Sequence, residues 1–168
     1  LALAFQVLTD GLGGSVPVWD DTRLEAALVR ELAEATGQMI AGQTYDTIGG
    51  LPADASPVDN ARRVHERKTG ALLRAACRMG ARSAGADVEG LARFSRYGGA
   101  IGLMFQVVDD LLDVEQSSEH LGKRAGKDEA AGKLTYPVAM GVEGARAEVR
   151  RLCDEAIAAL SGVGEEAA

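Results

Sequence analysis

The chain has 168 residues, 46% of them hydrophobic and 26% charged, which suits one soluble domain with a substantial core. A formal net charge of −7 and only 4% aromatic residues argue against a nucleic-acid partner, which needs a basic face or stacking platforms. Cys77 and Cys153 form no CxxC pair, and no apolar run is long enough to span a bilayer, so neither a zinc site nor a transmembrane segment is expected.

Leu1 to Thr9 reads as the tail of an apolar helix. It lacks a basic flank and a cleavage signature, so it does not read as a signal peptide. The chain does not begin with Met, and further residues are expected upstream. Lone cysteines on helical patterns fit a reducing compartment, here the cytoplasm. Asp10-Gly11-Leu12-Gly13-Gly14 ends the first helix, and Val16-Pro17-Val18-Trp19 is loop. Asp20 or Asp21 can cap the next helix, from about Thr22 to Ala35, whose Leu24, Ala27, Leu28 and Leu32 keep helical spacing. Gly37 is expected to break or bend it, and Met39 to Ile48 resumes. Gly49 to Pro57 is a linker too short to separate two domains. Asp59 or Asn60 can cap a helix reaching Met79, and Gly80 to Gly85 punctuates the chain. A long helix follows, from about Val88 to Val114.

Gly98, Gly99 and Gly102 lie inside that helix, each costing about 1 kcal/mol against alanine. Close approach of another backbone or of a ligand would compensate, or the helix kinks there. Glu115 to Leu134 reads as a polar, lysine-rich loop. Tyr136-Pro137 opens another helix, Gly144 to Leu160 is a last amphipathic one, and Gly162 to Ala168 frays. No strand pattern or repeat emerges, so the fold class is all-α.

One stretch carries chemistry. Phe105-Gln106-Val107-Val108-Asp109-Asp110-Leu111-Leu112-Asp113 puts three carboxylates into an apolar run. At about 3.6 residues per turn, Asp109 and Asp113 stack on one face, Asp110 lies beside them and Gln106 sits one turn earlier. Phe105, Val108 and Leu112 form an apolar stripe alongside. Such carboxylates either face water or hold a hard divalent cation. Lys123, Arg124, Lys127 and Lys133 follow soon after, as phosphate bridged by a metal requires. Lys68-Thr69-Gly70 is a second candidate and Gly42-Gln43 with Asp46 a third. Taken singly, each reads first as helix surface. His65 reads as a surface or structural residue, and Arg62, Arg63 and Arg67 as solvated.

The order of these motifs is more specific than any one of them. Gly42-Gln43-x-x-Asp46, Lys68-Thr69-Gly70, Phe105-Gln106-x-x-Asp109-Asp110-x-x-Asp113 and Gly122-Lys123 with Asp128 and Lys133-x-Thr135-x-Pro137 together resemble the trans-type polyprenyl diphosphate synthases, the family of farnesyl and geranylgeranyl diphosphate synthases. The resemblance covers nearly the whole chain. It implies a single all-helical domain over residues 1–168, the C-terminal portion of an isoprenoid-synthase bundle around a deep central cavity. It implies Mg2+-dependent condensation of an allylic diphosphate with isopentenyl diphosphate through an allylic cation, commonly by a homodimer. By position, Asp109, Asp110 and Asp113 hold magnesium or its waters. Lys68, Lys123 and Lys133 grip the allylic diphosphate. The Thr69 hydroxyl and the Lys68 carbonyl face the cation with Gln106 nearby, and Gln43 and Asp46 line the cavity or support the lysines.

The family's first aspartate-rich motif is not in this sequence. The only other adjacent aspartates, Asp20-Asp21, follow Val-Pro-Val-Trp in a loop and do not match it. The bare 168-residue chain is therefore expected to be inactive. A noncatalytic subunit of a heteromeric prenyl synthase and a terpene cyclase of the same fold are the alternatives. The three aspartates and Lys68-Thr69 favour the elongating enzyme over both.

Overall fold

Among the residues that the computed structural model describes (2–10, 22–120 and 134–163), the backbone forms six α-helices and one π-helical turn, with no strand. Helix α1 is Ala2–Asp10 and α2 is Thr22–Ile48. The expected break at Gly37 is absent. Helix α2 runs through it because Leu28, Leu32 and Ala35 are buried on one side of the helix and hold the segment straight.

Helix α3 is Pro57–His65, and its cap lies three residues before the expected Asp59. Ser56 Oγ accepts from Asp59 N at 3.1 Å and donates to Asp59 Oδ2 at 2.7 Å. Pro57 fills the first helical position, where a missing N–H costs nothing, so Ser56 outcompetes the later candidates. Asn60 instead donates to Pro52 O at 3.2 Å and closes the loop before the helix. The π-helical turn Glu66–Gly70 leads directly into α4, Ala71–Ser83. Gly85, at φ +79°, then turns the chain, and Asp87 Oδ1 accepts from Gly90 N at 2.8 Å to start α5, Val88–His120.

Helix α5 extends past the expected end at Val114, since Glu115 and Gln116 are good helix formers and no breaker intervenes before His120. The rest of the expected lysine-rich loop, 121–133, lies outside the described residues, as do Asp20-Asp21, the Val16–Trp19 loop and the terminal 164–168. Helix α6 is Tyr136–Ala159, N-capped by Thr135. Its backbone leaves helical geometry at Gly141 (φ 78°, ψ 160°), which separates the two helical segments expected there.

Helix α5 is the axis of the bundle. Its Ala100, Leu103, Val107 and Leu111 are buried against Ala61 of α3 and Tyr136, Ala145, Leu152 and Ala156 of α6. Ala35 of α2 packs on Ala71 and Ala75 of α4. Alanine at these contacts lets the helix axes approach closely. Ion pairs tie the rim. Glu31 of α2 pairs with Arg78 and Arg82 of α4, and Glu148 of α6 accepts from Arg62 of α3 and from Arg151. Among the described residues no helix is long and apolar enough to cross a membrane.

Two stability outcomes follow. Gly37→Ala should stabilise the fold by about 0.5–1 kcal/mol in urea melts, because a Cβ there meets nothing within 4 Å. Glu148→Gln should cost about 1 kcal/mol at neutral pH. Hydrogen bonding from Arg151, then from Arg62, holds the Glu148 carboxyl below its ordinary value. Its contribution is therefore full above that ordinary value and lost as pH falls through the lower folded one. The melting difference between wild type and Glu148→Gln should close in strong acid.

Candidate functional site

Three of the sequence candidates meet where α2 and α5 press on the π-helical turn. A turn widened by one residue is costly and tends to persist where it aims a side chain or backbone group. Here it carries Lys68, Thr69 and Gly70, and glycines close on it from both sides. A Cβ on Gly42 of α2 would run into the backbone N and Cα of Lys68. One on Gly102 of α5 would lie 2.6 Å from Gly70 Cα, and one on Gly98 would lie 2.7 Å from Arg74 Cα. Backbone approach thus compensates Gly98 and Gly102, whereas Gly99 faces open space.

A hydrogen-bonded chain runs from the turn onto α5. Thr69 Oγ1 donates to Gln106 Oε1 at 2.9 Å, and Gln106 Nε2 donates to Asp109 Oδ2 at 3.2 Å. Beside it, Lys68 Nζ lies 2.6 Å from Asp46 Oδ2 of α2. Bonds in such a chain polarise one another: the carboxylate draws on the amide, whose carbonyl becomes a stronger acceptor for the hydroxyl. The Thr69 proton is committed, so its oxygen presents only lone pairs to whatever lies in front.

The other candidates fall as follows. Asp113 is exposed one turn beyond Asp109. Gln43 is exposed and donates to Thr47 Oγ1 at 2.9 Å, so its side chain caps a turn of α2 and does not reach Lys68. Lys123 and Lys133 lie outside the described residues. Asp110 is a correction. It does not lie beside Asp109 and Asp113 on the exposed face but is buried, with 3% exposure. Its Oδ2 lies 3.0 Å from His65 Nε2 and accepts from Tyr136 N at 3.0 Å. Successive helical residues point about 100° apart, and Asp110 falls into the buried row of Leu103, Val107 and Leu111. The apolar stripe of Phe105, Val108 and Leu112 lies partly open, with Phe105 60% and Leu112 47% exposed.

The neighbours of Asp110 are His65, read from the sequence as surface or structural and found buried, and Tyr136, read only as a helix start and also buried. Their rings stack with centroids 5.7 Å apart and planes at 19°. Asp110 three residues after Val107 and seven after Leu103 was the available sign that this carboxylate points inward.

Asp109 and Asp113 offer hard oxygen donors on an open face, as a divalent cation partly held by a phosphate requires, since magnesium keeps several waters and takes one or two carboxylates. Among the described residues no three His, Cys, Asp or Glu side chains converge into a complete metal site. An apolar groove of about 660 Å3 is lined by Leu3, Val7, Leu32, Leu72, Ala76 and Met79. Leu72, four residues after Lys68, is the lining residue nearest in sequence to the polar cluster, and none of the cluster's own side chains lines the groove.

Residues 1–165 match the family model described as polyprenyl synthetase. The chain is 45% identical over 158 residues to geranylgeranyl pyrophosphate synthase 10 of Arabidopsis thaliana, covering 93% of this chain and 45% of that protein. It is 42% identical over 169 residues to farnesyl diphosphate synthase of Escherichia coli, covering 98% and 54%. A crystal structure of geranyltransferase from Helicobacter pylori complexed with magnesium and isoprenyl diphosphate superposes with a TM-score of 0.73 at 27% identity, covering 98% of this chain and 52% of that one. The chain therefore spans about half the length of the relatives it matches.

The glycine contacts give a sharp outcome. Gly102→Ala should destabilise the fold by about 1–3 kcal/mol, because neither backbone can yield. Gly99→Ala, three residues away on the same helix, should be neutral or mildly stabilising in the same denaturant melts.

Proposed function

The chain belongs to the polyprenyl synthetase family, and we propose that it carries the allylic-diphosphate half of a prenyl diphosphate synthase, condensing an allylic diphosphate with isopentenyl diphosphate. The observation that carries this is the polar series across the π-helical turn and its two neighbouring helices, in which Thr69 bonds to Gln106, Gln106 to Asp109 and Lys68 to Asp46. A cationic donor beside open carboxylates matches a diphosphate bridged by a divalent cation.

Each residue has a task that its contacts suit. Lys68 grips the diphosphate, and Asp46 holds its ammonium extended until the ligand competes for it. Lys123 and Lys133 add positive charge from the segment after α5. The Thr69 oxygen, its proton given to Gln106, turns lone pairs toward the allylic cation left when the diphosphate departs. Gln106 fixes Thr69 and transmits the pull of Asp109. Asp109 and Asp113 would hold magnesium, whose charge makes the diphosphate a better leaving group. Carbon–carbon bonding then uses the double bond of isopentenyl diphosphate, and the released pyrophosphate takes the proton that is lost.

Residues 1–168 contain no match to the family's first aspartate-rich motif. On this reading they do not turn over by themselves, because only one carboxylate set faces the diphosphate. Thermal melts of the full-length natural chain test the assignment. An allylic diphosphate and Mg2+ together should raise the Tm, either alone should not, and Asp109→Asn should abolish the joint effect. A Tm indifferent to the pair, or a rise independent of Mg2+, would sink it.

A further inference from the structure

The buried carboxylate next to the open one has no task in the scheme above. Building on the assignment of Asp109 as a metal ligand, we infer that Asp110 is a positioning residue, and that with His65 it sets the rotation of α5 that presents Asp109. Three elements meet on a single oxygen. Asp110 Oδ2 lies 3.0 Å from His65 Nε2 at the end of α3 and 3.0 Å from Tyr136 N in the first turn of α6. The His65 ring lies on the Tyr136 ring, closing the triangle. The side chains of His65 and Asp110 are 7% and 2% exposed, so neither bond competes with water.

The Tyr136 amide is one of the N–H groups that a helix start leaves without an internal partner. A carboxylate supplied from α5 satisfies it and complements the positive end of α6. Turning Asp110 outward to share the metal face would require α5 to rotate by about 100°, breaking both bonds and carrying Asp109 off that face to the half-buried direction that Val108 now takes. Removing Asp110 leaves the Tyr136 amide and His65 Nε2 in the core without their acceptor. It also frees α5 to roll relative to α3, which displaces Asp109 and Gln106 from Thr69.

The experiment compares Asp109→Asn, Asp110→Asn, Asp110→Ala and His65→Gln in the full-length enzyme. It reads Tm, kcat, KM for the allylic diphosphate, the Mg2+ half-saturation, and Mn2+ binding by water-proton relaxation. An amide oxygen can accept both bonds that Asp110 Oδ2 receives. Asp110→Asn should therefore keep its Mg2+ half-saturation, Mn2+ affinity and kcat within about twofold of wild type. His65→Gln, whose amide can still donate, should behave likewise. Asp110→Ala should weaken the metal by about tenfold and lower kcat well below its Tm, while Asp109→Asn weakens it by about 100-fold with Tm unchanged.

Asp110→Asn matching Asp109→Asn would make Asp110 a ligand and overturn the inference. Asp110→Ala losing Tm alone, with metal affinity and kcat intact, would reduce it to a stability residue and also overturn it. If wild type transfers no prenyl group, the proposed function falls, and the Mn2+ series still decides the role of Asp110. If wild type binds no Mn2+, both fall.

Discussion

The site depends on how closely α2 and α5 approach the π-helical turn between them. Gly42 lets one backbone lie against Lys68, and Gly102 lets another lie against Gly70, with no side chain in either gap. Contacts of this kind cannot relax by a rotamer change, because backbone meets backbone. The turn is thereby held between two straight helices, and Thr69 arrives within hydrogen-bonding distance of Gln106 at the second of them. A wide turn is unfavourable by itself and survives here because its neighbours leave it no other shape. The two glycines give up helix propensity, roughly 1 kcal/mol each, in exchange for that placement.

The electrostatics follow from the same packing. In an acidic protein, carboxylates gathered on one helix must be kept apart or compensated. Asp109 and Asp110 are adjacent in sequence and opposite in circumstance. One is exposed and accepts from Gln106, and the other is buried with two partners of its own. Burial of Asp110 is tolerable because its partners come from two other helices, so the desolvation of one charge is offset by bonds that also join three elements. Asp113 keeps to the wet face. The helix thus divides its acids between an open face and the core, and the division is set by where each falls on the 3.6-residue repeat.

Much of this was legible in the sequence. The all-α class, the start of α6 at Thr135-Tyr136-Pro137 and the order of the motifs were, because proline position and helical spacing act locally. The link from Lys68 to Asp46 was visible only as two weak signals 22 residues apart, which a tertiary contact joins. Gly37 and Gly102 show the limit. Both are glycines in helices, and sequence cannot say which faces open space and which faces a neighbouring backbone. The inward turn of Asp110 was overlooked because a pair of aspartates invites reading as one group, although the row through Leu103, Val107 and Leu111 already placed the second of them in the core.

Rigid placement also explains why the polar series sits on helices and not on loops. The cation of the proposed reaction would be stabilised only by dipoles already aimed at it, since reorientation during the reaction would cost what the dipoles supply. Thr69 and Gln106 hold each other, Gln106 holds Asp109, and Lys68 is held by Asp46. Each first contact to a ligand is therefore already a second contact to the protein. Had any of these side chains stood alone on a loop, the same residue types would have offered the same charges without the geometry. The glycine contacts, the buried Asp110 and the π-helical turn are then parts of one arrangement, in which the backbone fixes the angles and the side chains supply the chemistry.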